Sequence, residues 1–126
     1  MFRIVCILNV FLVLPFAVSA LVTPEVTFAS FGLALGAEGV VVARGYGAAA
    51  MGWGLACALL SGSRAPEVVR GLMIASLAFN LAEVLVQVPV ALSGIASAMI
   101  WGTIGAHAVL AALSAMALRP GRLRGA

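Results

Sequence analysis

The sequence predicts an all-α fold, a polytopic transmembrane four-helix bundle, and three observations predict it. Of 126 residues, 64% are hydrophobic and only 9% are charged, too few polar groups to cover a soluble domain of this size. Four apolar stretches approach the roughly 20 helical residues that a bilayer core requires, and the mean hydropathy is +1.23. The basic residues stand at the edges of those stretches rather than inside them. Residues 1–126 therefore read as a single transmembrane domain.

The predicted spans run from about Ile4 to Val22, Tyr46 to Gly62, Gly71 to Leu92 and Gly94 to Leu118. The second is short unless its helix begins upstream and Arg44 snorkels to the interface. Residues 23–44 open with Thr23-Pro24-Glu25 and carry Glu38. They are moderately apolar, glycine-rich and interrupted, so they read as an interfacial or re-entrant segment. Ser93-Gly94 reads as a tight external turn, and residues 119–126 as a basic cytoplasmic tail.

Orientation follows from the arginines, since seven Arg against four Glu give the net charge of +3 with no Lys and no Asp. With the N-terminus inside, Arg3, Arg64, Arg70, Arg119, Arg122 and Arg124 are cytoplasmic, and only Arg44 lies outside with Glu25 and Glu38. N-in and C-in is the expected topology. The basic pI of 9.7 does not imply nucleic acid, because the arginines form no single stripe. Met1-Phe2-Arg3, the apolar run and Val18-Ser19-Ala20 also match a secretory signal, although retention of the first span is the preferred reading.

Helix association in lipid needs close backbone approach or interhelical hydrogen bonds. Small residues recur every four positions at Ala48, Gly52 and Ala56, at Ala50, Gly54 and Ala58, and at Gly94, Ala98, Gly102 and Ala106. These ridges predict tight packing within the chain or against a partner. A polar stripe, Ser76, Asn80, Glu83 and Gln87, is spaced 4, 3 and 4 on one face of the third span. Thr103, His107 and Ser114 repeat the pattern on the fourth. A turn centred between Ala91 and Leu92 would set Asn80 level with Thr103 and Ser76 level with His107. Glu83 would then stand about 10 Å from the level of His107.

Glu83 is the sharpest candidate, because an ionisable group within a span packs inside the bundle, contacts another subunit or handles protons or cations. His107, the single histidine, could ligate haem or a chlorophyll-type pigment, but on a helix face it reads first as a hydrogen-bonded core residue. Cys6 and Cys57 fall in apolar segments and predict neither a disulfide framework nor a zinc site. Gly45-x-Gly47-x-x-Ala50, with Glu67 about 20 residues on, mimics a dinucleotide fingerprint but lacks a βαβ setting. No catalytic residues, metal ligands or cofactor are expected, and no hydrolytic triad can be assembled.

Pro24 after the first span, the Phe31-Gly32 step and Arg44-Gly45-Tyr46-Gly47-Ala48 leading into Gly52 and Gly54 resemble small four-helix bacterial inner-membrane proteins of the DoxX-like and domain-of-unknown-function type. The resemblance implies the bundle and a multi-pass inner-membrane location more than an activity. The expectation is a non-enzymatic accessory or scaffold subunit, in contact with the bilayer and with a membrane-protein partner or a second copy. The alternatives are a small proton-coupled transporter using Glu83, and haem or pigment ligation through His107.

Overall fold

The computed structural model describes residues 1–119, so Arg122 and Arg124 of the expected tail lie outside the described residues. The fold is all-helical: α1 (Phe2–Val22), α2 (Pro24–Ser30), α3 (Ala37–Leu60), α4 (Pro66–Leu92) and α5 (Met99–Ala117), with no strand among the described residues. Among the described residues three helices are long and apolar enough to cross a membrane, α1, α4 and α5. At 24 residues α3 has the length. Its glycines, Glu38 and Arg44 dilute its apolarity.

Proline and glycine set the boundaries. Pro24 and Pro66 each open a helix at its first turn, where a missing N–H costs nothing, and Glu25 and Glu67 follow in the same turn, favoured by the helix dipole. Gly94 (φ +75°) ends α4 in the left-handed region. Gly32 (φ +80°) turns the chain after α2, and a Cβ there would stand 2.9 Å from the Ser97 amide. That contact is a tie between two loops: the Ser97 N–H donates to Phe31 O at 2.7 Å, and Ser97 Oγ donates to Ser30 O at 3.2 Å.

Helices α1 and α3 pack antiparallel, as do α4 and α5, and α2 rests on α1 and α3. The α1–α3 seam is built from small residues. Ala17, Ala20, Ala43, Gly47, Ala50 and Gly54 are all buried. A Cβ at Gly47 would lie 3.1 Å from Ala17 O, and one at Gly54 would run into the Leu14 side chain. The backbones can come this close because those positions carry almost no side chain.

The structure corrects four sequence expectations. Helix α3 begins at Ala37, not at Tyr46, so residues 23–44 divide into α2, a short loop and the first two turns of α3. The last connection is not a two-residue turn, since α5 starts only at Met99. Gly94 is therefore in the loop and Ala98 is an N-cap, leaving Gly102 and Ala106 as the helical part of that ridge. The longer loop also moves the α4–α5 register, so that Ser76 pairs with Ser114, Asn80 with His107 and Gln87 with Thr103. Of the two α3 ridges, Ala50 and Gly54 face α1, whereas Ala48 and Gly52 face outward.

Candidate functional site: a buried polar network

A membrane-sized apolar helix gives a polar side chain few ways to be satisfied, so each one should find a partner on a neighbour. Asn9 of α1 is the hub. It is wholly buried, donates from Nδ2 to Val5 O (2.9 Å) and Ser76 Oγ (3.1 Å), and accepts at Oδ1 from Trp53 Nε1 (3.2 Å) and Asn80 Nδ2 (3.1 Å). One amide thus joins α1, α3 and α4.

The hydrogens can be traced from there. Asn80 Oδ1 can only accept, so His107 Nδ1 carries the proton of their 2.8 Å bond. Ser114 donates its single hydrogen to Leu110 O at 2.7 Å, which leaves Ser76 as donor in the 2.9 Å bond between the two hydroxyls. Asn80 Nδ2 also donates to Ser76 O at 2.8 Å. Around this cluster Trp53 stacks on Phe79 at 5.6 Å, and Phe79 meets the His107 ring edge-on at 6.1 Å.

Glu83 belongs to a second cluster, one turn along α4. Its Oε1 accepts from Tyr46 OH at 2.7 Å and its Oε2 from Gln87 Nε2 at 2.9 Å, while Gln87 Oε1 accepts from Thr103 Oγ1 at 2.6 Å. Phe16 packs edge-on against Tyr46 at 5.6 Å, and against Phe28 and Phe31, walling this cluster off from the α2 side. From Ser76 to Gln87 the polar face extends about 16 Å along the helix axis.

The expected stripe residues Ser76, Asn80, Glu83, Gln87, Thr103 and His107 all enter this network, though not as one continuous face. The structure separates Asn80 and His107 from Glu83, Gln87 and Thr103. Asn9, Trp53 and Tyr46 were not among the expected site residues. The signal for Asn9 was present: it is the one amide in a span whose other residues are almost all apolar.

Every buried side-chain nitrogen and oxygen among the described residues has a partner. The serines are spent on amides and backbone carbonyls, and the His107 nitrogen that faces a polar side chain faces an amide oxygen. Among the described residues no three His, Cys, Asp or Glu side chains gather as a metal cage. The network is suited to locking helices in register and to relaying hydrogen bonds across the bundle. Family models, curated proteins and solved structures offer no match to the chain, so its role is read from its own residues.

Proposed function

We propose that the chain is a non-enzymatic four-span protein of a bacterial inner membrane, N-in and C-in, of the DoxX-like kind its motifs resemble. It serves as an accessory or scaffold subunit of a larger membrane assembly. One observation carries this reading. The fold consumes Gly47 and Gly54 against α1, while Gly52 on α3 and Gly102 and Gly105 on α5 have nothing within 4 Å of where a Cβ would stand. In lipid, smooth helix faces of this kind support close packing by another helix. The internal polar groups, by contrast, are already satisfied and ask nothing of a partner.

Gly102→Leu tests it. The substitution meets open space within the chain, so the protein should fold and insert normally yet lose its co-purifying companion. Retention of the companion by this variant and by Gly52→Leu would sink the reading.

A second reading rests on the chain of bonds from Thr103 through Gln87 and Glu83 to Tyr46, which would suit proton-coupled transport with Glu83 as the coupling group. Glu83→Gln with assembly intact and transport lost would support it. Loss of assembly would remove it. His107, packed against Phe79 and bonded to Asn80, has the surroundings of a core residue, and a visible spectrum tests whether it holds a haem or pigment.

A further inference from the structure

At the end of the bundle that carries the α1 N-terminus, three sulfur-bearing side chains are buried in one packed cluster. Cys6 of α1, Cys57 of α3 and Met73 of α4 are exposed by 0%, 0% and 1%, and they share that cluster with Val5, Leu72 and Ala117. The antiparallel α1–α3 pairing brings the two free, buried thiols into this one cluster. We propose that Cys6 and Cys57, with Met73 beside them, form a site for a soft monovalent cation, copper(I) in particular.

Donor chemistry selects the ion. Thiolate and thioether sulfur favour copper(I) over hard cations, which require oxygen. The other members of the cluster are hydrocarbon, with Phe2, Leu113 and Leu118 packed against it, and among the described residues no carboxylate or imidazole gathers with the two cysteines. Zinc, which is usually four-coordinate, lacks donors here because no three His, Cys, Asp or Glu gather among the described residues. Charge balance points the same way. As copper(I) binds, one thiol releases its proton to water, and the resulting thiolate cancels the single positive charge. The second thiol and the Met73 thioether then bind as neutral donors, leaving a neutral site that an apolar environment tolerates.

The approach is short. Cys57 is three residues from the end of α3 and Cys6 five from Met1, which puts the sulfurs about 5–8 Å along the axis from the aqueous end. This site shares no residue with the polar network and does not depend on the accessory-subunit reading.

The test uses the full chain, reduced and kept anaerobic in mild detergent, titrated with copper(I) against bathocuproine disulfonate. One equivalent per chain should be retained, with a near-ultraviolet thiolate-to-copper band, and excess zinc should not displace it. Cys6→Ala and Cys57→Ala should each abolish retention while elution and helical circular dichroism stay unchanged, and Met73→Leu should weaken it. Copper K-edge absorption of the unaltered protein needs no variant and should show a sulfur-only shell. A folded protein that retains no copper, an oxygen or nitrogen shell, or equal retention by the Cys6→Ala/Cys57→Ala double variant would overturn the proposal and leave the thiols as small core hydrophobes.

Discussion

Replacing Asn9 with leucine removes the hub of the buried network while keeping the branched shape and heavy-atom count of the side chain. Three of its four bonds reach other helices: Ser76 and Asn80 on α4 and Trp53 on α3. Interhelical hydrogen bonds within membranes average about 0.6 kcal/mol, so the three together contribute about 2 kcal/mol. The Trp53 Nε1–H is then left without its acceptor, which adds roughly 1 kcal/mol for a part-buried donor. Asn80 suffers less, because its Nδ2 keeps Ser76 O at 2.8 Å. The expected loss is about 3 kcal/mol, and Trp53→Phe, which deletes one bond of about 0.6 kcal/mol and trims the ring stacked on Phe79, should lose less. Reversible unfolding in mixed micelles of a mild detergent and dodecyl sulfate reads both. A double-variant cycle should return a coupling close to the Asn9–Trp53 bond alone. If Asn9→Leu unfolds within about 0.5 kcal/mol of the parent, the network is not what holds α1 to the other helices, and the reasoning fails.

Further outcomes follow from the same contacts. Gly54→Val should abolish folding or cost about 2 kcal/mol or more, because its side chain would collide with Leu14, whereas Gly52→Val, with nothing within 4 Å, should leave unfolding unchanged. Gly32→Ala should destabilise by about 1–2 kcal/mol, since it combines a positive φ with a Cβ 2.9 Å from the Ser97 amide, and thermal unfolding in detergent measures it. Deleting residues 1–20 strips Asn9 and the α1 face of the small-residue seam. Synthesised this way, the chain should aggregate or be degraded in the membrane, and a stable, monodisperse product would contradict the packing described. Tyr46→Phe should mimic Glu83→Leu in any transport assay, because each removes the 2.7 Å bond between them, and divergent phenotypes would argue that the carboxyl acts without that contact.

Helical class was legible in the sequence because apolar runs of about 20 residues admit little else in a bilayer. The 4, 3, 4 spacing of Ser76, Asn80, Glu83 and Gln87 placed them on one face, as a 3.6-residue period must. What that spacing lacked was the partner. Register between α4 and α5 depends on the loop at residues 93–98, and the apolar run from Gly94 reads as helix although its φ of +75° places that glycine in the loop. The misplaced connection slid His107 four residues along α4, from Ser76 to Asn80. The start of α3 was obscured by Arg44, a charge that suggests a boundary in a linear profile. In the fold it is exposed on a helix that already began at Ala37. Asn9 escaped for a different reason: its role is to join α1 to α3 and α4, and no periodicity within one helix reveals a long-range bond.

Purification from native membranes in mild detergent, with mass spectrometry of the co-eluting proteins, tests the accessory-subunit reading most directly. The account predicts a stoichiometric, reproducible companion that disappears from Gly102→Leu while the chain itself stays folded. A protein that runs alone or only with its own copies, and behaves identically when Gly102 and Gly52 are filled, would contradict it.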